Sequence, residues 1–163
     1  DAHADLRAEY EGTPFSHACV MHRVLDRVDL TPVGIRSLTA EEREVIRKHG
    51  IPAVFAGELG KPDWIERVMG TLRERVYVSI DVDYFDPSLI PSTGTPEPGG
   101  GLWYPTLELV ERVFRQHTVL GCDVVELSPI PGLVAPDFTA AKLVYKLIGY
   151  RQRYGGGRKP ERG

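Results

Sequence analysis

The chain has 163 residues and a mass of 18.2 kDa, enough for one compact domain and short for most two-domain enzymes. Apolar residues make up 42% and charged residues 26%, which excludes a disordered polar chain and supports a substantial core. A formal net charge of -3 and a pI near 6.0 argue against a broad nucleic-acid footprint.

In chain order, the opening Asp1-Ala2-His3-Ala4-Asp5 is acidic and polar, unlike a signal peptide, and carries no initiating Met, so a truncated polypeptide is expected. His17 to Val28 can form a helix with Val20, Val24 and Val28 on one stripe, followed by a strand over Thr31 to Ile35. Thr39-Ala40-Glu41-Glu42 reads as a capping box opening a helix that keeps Val45 and Ile46 inward and stops at Gly50. A short strand over Pro52 to Ala56 precedes a helix over Pro62 to Arg75, in which Ile65, Val68 and Leu72 align.

Val76 to Asp81 is the clearest strand, mostly apolar on both faces as inside a parallel sheet. A Pro/Gly-rich loop spans Tyr84 to Gly101, then a helix runs from Thr106 to Gln116 and a strand from Thr118 to Leu127, interrupted near Gly121. Asp137 is placed to cap a last helix with Phe138, Ala141, Tyr145 and Ile148 on its buried face. The residues from Arg151 form a charged, Gly-rich tail that frays.

Strands alternating with helices predict a three-layer α/β/α domain with a mainly parallel sheet, with half a TIM barrel as the alternative topology. Ligands of such sheets bind beyond the carboxyl ends of the strands. Asp81 and Glu126 lie there, and so does Asp1 if a strand precedes it. Cys19 and Cys122 provide no disulfide framework and suit reduced thiols filling a core in a cytoplasmic protein. No apolar run is long enough to span a membrane.

Asp1, His3 and Asp5 are spaced by two, so their side chains point the same way in extended backbone. Asp81 and Asp83 repeat the spacing. Brought together, these groups would repel one another unless divalent cations neutralised them, and oxygens with one imidazole suit such cations. Shared carboxylates would allow two metals and an acidified water between them. Aspartates at strand ends also cap turns, and Asp86-Pro87-Ser88 reads as a turn of that kind. Glu126 can pair in two parallel hydrogen bonds with a planar guanidinium, or with a structural arginine such as Arg36. His22, His49 and His117 carry no chemistry in this reading.

Over nearly its whole length the chain resembles the ureohydrolase (arginase/agmatinase) family. Asp1-Ala2-His3-Ala4-Asp5 is similar to its Asp-Ala-His-x-Asp motif, and Ser79 to Pro87 to its Ser-x-Asp-x-Asp-x-x-Asp-Pro motif. Thr93-Gly94-Thr95-Pro96-Glu97-Pro98-Gly99-Gly100 resembles the agmatinase glycine-rich loop, and Val124 to Pro129 the strand carrying a guanidinium-binding glutamate.

The resemblance implies an arginase-like fold, with residues 1–150 as the C-terminal portion of one ureohydrolase domain and 151–163 as the tail. It implies two Mn2+ per complete subunit, with other divalent metals as alternatives. Asp1 and Asp81 would bridge both ions, Asp5 would hold one, and His3 and Asp83 the other. The family also uses a histidine from an upstream Gly-Gly-x-His segment that these residues do not contain. His17, in Phe15-Ser16-His17-Ala18, corresponds to the catalytic histidine, with Ala18 where the family usually has Gly. Glu126, Thr95 and His17 would contact substrate, and His17, Asp5 and Glu126 would serve catalysis.

The implied reaction is hydrolysis of agmatine to putrescine and urea by a hydroxide bridging the metals. Aminopropylagmatine, guanidinobutyrate, arginine and formimidoylglutamate are alternative substrates. Glu9 and Glu11 suit a distal cation, against Arg7 in the same loop. A non-catalytic metal-binding assembly subunit is the alternative class. The expected partners are a small guanidino substrate and further copies in a homotrimer or homohexamer, with no nucleic acid and no membrane.

Overall fold

A computed structural model of the chain describes residues 1–155. Strand β1 (Val33–Ile35) pairs in parallel with β2 (Val54–Phe55), and β3 (Arg75–Asp81) in parallel with β4 (Thr118–Val125). The helices are α1 (Val20–Val24), α2 (Ala40–His49), α3 (Trp64–Thr71), α4 (Trp103–Gln116) and α5 (Val134–Tyr154). The arrangement is the expected α/β class with parallel strand pairing.

Strand alternation explains the layers around β1 and β2. Val33 and Val54 join a large core built from α3, β3 and the segment after it, α4, β4 and α5, including Val68, Phe85, Val110, Phe114 and Leu143. Ile35 and Phe55 join a second core with Leu6, Met21, Leu25, Val45 and Ile46, from α1, α2 and the segments beside them. Apolar material therefore lies on both faces of this pair. By contrast, β3 buries Ile80 and half-buries Val76 and Val78, while Arg75, Tyr77 and Ser79 are exposed. The expectation of two buried faces fails there: Tyr77 and Ser79 lie on the open face, where their hydroxyls donate to Asp123 of β4 at 2.9 and 2.6 Å. The interruption expected near Gly121 is a register shift: Val76 pairs with Val119, but Tyr77 with Gly121.

The capping box forms. Thr39 Oγ1 accepts the Glu42 amide at 3.2 Å, and Glu42 Oε2 accepts the Thr39 amide at 2.8 Å. Gly50, with φ 61°, ends α2 in the left-handed region, where a side chain would be strained.

Other elements differ from their expected form. The His17–Val28 helix is a short 3-10 turn followed by α1, and Val20 and Val28 are exposed. The amides of Met21 and His22 donate to Asp5 O at 3.0 and 3.2 Å, which turns Met21 and Leu25 toward the core in place of the valine stripe. Helix α5 starts at Val134, so Asp137 lies in its first turn and does not cap it. There its charge opposes the positive end of the helix dipole. The buried face of α5 is Ala140, Leu143 and Leu147, and Phe138, Tyr145 and Ile148 are exposed. Both faces are apolar, so periodicity alone could not choose between them.

The same helix carries four residues of the expected tail, Arg151 to Tyr154. Arg151 donates to Val119 O at 2.7 Å and the Tyr154 hydroxyl to Glu111 at 2.6 Å, tying the last turn to β4 and α4. The remaining tail, 156–163, lies outside the described residues. Cys19 is buried as expected, but Cys122 is exposed on β4, whose only sheet neighbour among the described residues is β3. Among the described residues, no helix is long and apolar enough to cross a membrane.

Candidate metal centre

The first residues run extended beside the end of β1. The amides of Arg36 and Ser37 both donate to Ala2 O, at 2.8 and 2.9 Å, and His3 pairs in parallel with Ser37. Alternation then divides the segment. Ala2, Ala4 and Leu6 are buried in the core, leaving Asp1, His3 and Asp5 for the other side. Asp5 has φ 54° and turns the chain out of this extended run.

The second contribution comes where β3 ends. Asp81 and Asp83 are only 7% and 2% exposed. The Asp81 carboxylate accepts the Asp83 amide at 2.9 Å, fixing the 3-10 turn Val82–Tyr84. Asp83 in turn accepts the Ala2 amide at 2.8 Å and meets His3 Nδ1 at 2.8 Å, joining segments 80 positions apart. Asp1 accepts the His3 amide at 2.6 Å.

Asp1, His3 and Asp83 each offer a ligand atom, all within 4.8 Å of one another. Bonds of about 2.0–2.2 Å hold two ligand atoms of one cation up to about 4.4 Å apart, so small side-chain movements would close this trio on an ion. Two carboxylate oxygens and an imidazole nitrogen suit a divalent cation.

The electrostatics fit that reading. Burial pushes Asp81 up to about 7 and Asp5 to about 6, because neither carboxylate has enough compensating positive charge. Burial also pushes Asp83 upward, but the His3 ring and the Ala2 amide outweigh it and hold Asp83 below the usual carboxylate range. His3 is raised by its hydrogen bond to Asp83. A cation would relieve the strain on Asp5 and Asp81 and take the place of the proton shared between His3 and Asp83.

The tight trio thus holds three of the five expected ligands, with Asp81 one hydrogen bond behind Asp83. Asp5 is half-buried beside them, and its electrostatic neighbours are His3, Asp83, His17 and Glu42. His17 is exposed, with its ring edge-on to Tyr10 and Nδ1 3.4 Å from Ser16 Oγ. Glu126 is exposed at φ 64°, one residue past Val125, the register partner of Asp81. It therefore stands at the same sheet end as the aspartates. Thr95 is exposed; its loop is pinned to that end by the bridge between Thr93 and Leu127 and by the Ser128 amide on Ser92 O at 2.9 Å. Asp86 makes the expected turn, accepting the Ser88 amide at 2.9 Å.

Three supporting residues were missed or given another task. Glu42, 4% exposed, also accepts the Leu6 amide at 3.0 Å, directly after Asp5. The capping box signals Glu42, but nothing local signals this second bond. Glu97 Oε1 lies 3.9 Å from His3 Nε2; its only sequence signal is its place in the Thr-Pro-Glu-Pro motif. Arg36 does not pair with Glu126: its side-chain hydrogen bonds run to backbone carbonyls.

Comparison with known proteins identifies the family. A model of the arginase family matches residues 1–149. The N(1)-aminopropylagmatine ureohydrolase of Synechocystis is 44% identical over 92% of this chain and 50% of its own length. The agmatinase of Pyrococcus horikoshii is 41% identical over 94% of this chain and 54% of its own. Among solved structures, agmatine ureohydrolase of Thermoplasma volcanium superposes with a TM-score of 0.84 at 36% identity, covering 94% of this chain and 54% of that one. Arginase from Medicago truncatula gives 0.76 at 35%, covering 90% and 48%. The chain spans about half the length of the curated relatives it matches. With the family model covering nearly all the described residues, the chain belongs to the arginase family, the ureohydrolases.

Proposed function

We propose that the intact protein hydrolyses a small guanidino compound of the agmatine type to urea and a primary amine, with divalent cations held by Asp1, His3, Asp5, Asp81 and Asp83. The observation that carries this reading is the convergence of Asp1, His3 and Asp83 from distant segments onto one point at a strand end. Mn2+ is the leading cation and agmatine the leading substrate, giving putrescine. Bound there, the cations would neutralise the carboxylates and make water more acidic.

The remaining chemistry belongs to side chains. Glu126 receives the guanidinium in two parallel charge-assisted hydrogen bonds, which hold its plane and place its carbon toward the aspartates. Water adds to that carbon, the bond to the alkyl nitrogen breaks, and the departing nitrogen must gain a proton. Asp5, whose charged neighbours include His3, Asp83 and His17, is placed to take the proton that water releases as well as to bind cation. His17, among the neighbours of Asp5, passes a proton to the amine.

Exposed Glu9 and Glu11 favour a substrate with a distal cation. Arg7 is turned away from that task, lying over the Tyr10 ring at 4.7 Å and 3.9 Å from Glu42. Agmatine and aminopropylagmatine both meet this requirement, and relatives carry both names. The family resemblance adds a cytoplasmic homotrimer or homohexamer.

The test is urea release by the intact protein from agmatine, aminopropylagmatine, guanidinobutyrate and arginine, alongside elemental analysis. Bound cation with hydrolysis of a cationic substrate is the expected result. Bound cation without urea from any of them would mark a non-catalytic subunit and overturn the reading.

A further inference from the structure

We infer that Arg36 is a positioning residue of the cation site, a guanidinium clamp that fixes the Asp83 turn and the Glu97 loop relative to each other. Arg36 follows β1 and is half-buried. Its side chain contacts six backbone carbonyls from three separate segments. Nη2 donates to Asp83 O at 2.8 Å, Glu97 O at 2.9 Å and, more weakly, Phe85 O at 3.4 Å. Nε donates to Pro98 O at 3.0 Å, and Nη1 to Gly34 O at 3.1 Å and weakly to Tyr84 O at 3.5 Å.

Only a guanidinium does this. It offers five N–H donors in one rigid plane, whereas an ammonium offers three around a point. Two of the six carbonyls, and the shortest two contacts, belong to residues whose side chains face His3. Asp83 is one of the converging ligands, and Glu97 reaches toward His3 Nε2 at 3.9 Å. Holding both main chains with one plane fixes where the Asp83 carboxylate and the Glu97 carboxylate face the imidazole.

The surroundings are shaped for the clamp. A Cβ built on Gly100, at φ 125°, would come within 2.5 Å of Tyr84 O and 2.9 Å of Arg36 Nη2. Glycine at that position leaves the space in which the guanidinium bridges the loops. The Gly101 amide also donates to Tyr84 O at 2.9 Å, tying the same two loops beside the clamp.

The inference rests on the cation reading proposed above, and cation binding is its readout. Co2+ titration of the metal-stripped intact protein, followed by visible absorption, reports affinity and coordination together. Arg36→Lys and Arg36→Met are each expected to weaken Co2+ binding by about 10–100-fold, the range for lost outer supports of a metal site, and to alter the absorption band. Lysine keeps the charge and should fail to rescue. Melting of the metal-free Arg36→Lys variant should stay cooperative.

Wild-type affinity and an unchanged band in Arg36→Lys would overturn the clamp. Loss of fold in both variants would overturn it too, by making Arg36 a residue of general stability. If the wild type binds Co2+ but releases no urea from any guanidino compound, the proposed reaction falls while the Arg36 result stands. If the wild type is active and the variants bind normally, the clamp alone falls.

Discussion

Two groups of polar residues meet at the end of the β3–β4 pair, and they are built in different ways. Asp81 and Asp83 are buried, and the carboxylates of Asp1, Asp81 and Asp83 accept the amides of His3, Asp83 and Ala2, respectively. His17, Thr95 and Glu126 stand exposed around them. The chain itself orients the first group, so its geometry is in place before anything binds. The second group faces outward, open to solvent. The contrast suits a site in which cation ligands must be rigid and substrate-facing groups must admit and release a small molecule.

The largest expected effect breaks the first group. In the intact protein, Asp83→Ala removes a proposed ligand and frees both His3 and the Ala2 amide from their anchor. Bound cation should be lost, and hydrolysis should fall by on the order of a thousandfold or more, since metal polarisation contributes several kcal/mol to such reactions. Elemental analysis and urea assays check this together. Full cation content in the variant would remove Asp83 from the ligand set.

Glu126→Gln tests the second group. The amide keeps the shape but loses the charge that strengthens pairing with a guanidinium, a difference of about 1 kcal/mol for each of the two hydrogen bonds. Activity should drop about 10–100-fold while cation content stays at the wild-type level. Loss of cation along with activity would erase the distinction between the two groups.

A pH series on the metal-stripped protein sharpens the same comparison. Burial lifts Asp5 to about 6 and Asp81 to about 7, whereas unfolded carboxyls titrate near 4. Above about pH 4 the unfolded chain gives up these protons first, so stability falls as pH rises through the folded values. The melting temperature without metal should therefore decline between about pH 5 and 7.5, and saturating Mn2+ should abolish the decline. A metal-free melting temperature that rises over this interval would show that these carboxyls are not held protonated by burial.

How far the sequence reveals this arrangement depends on the range of the interactions. The period-two spacing of Asp1, His3 and Asp5 is local, and the burial of Ala2 and Ala4 between them and of Leu6 after them confirms the alternation it implies. The Thr39–Glu42 cap is equally local and forms as read. The choice of face on α5 depends on partners, and a helix apolar on two faces does not announce which side is covered; Phe138 and Tyr145 are exposed although their spacing reads as a buried stripe. Arg36 is least legible of all. Its acceptors are main-chain carbonyls, which have no sequence identity, in loops up to 62 positions away.

Glu42 lies on the boundary between what is local and what is not, and it supplies the smallest and most selective test. Thr39→Ala deletes only the acceptor of the Glu42 amide, and loss of such a cap costs about 1 kcal/mol. Glu42→Ala deletes the same cap from the other side and also strips the acceptor from the buried Leu6 amide, next to Asp5. Leaving a buried donor unpaired costs about 1–3 kcal/mol, so this variant should be the less stable in chemical denaturation. The sharper difference is in cation binding. Thr39→Ala should bind Mn2+ as the wild type does in calorimetric titration, because its loss stays within α2. Glu42→Ala should bind it severalfold more weakly, because the backbone that presents Asp5 has lost its anchor. Equal Mn2+ affinity in the two variants would mean that the Glu42–Leu6 bond holds the fold without tuning the site.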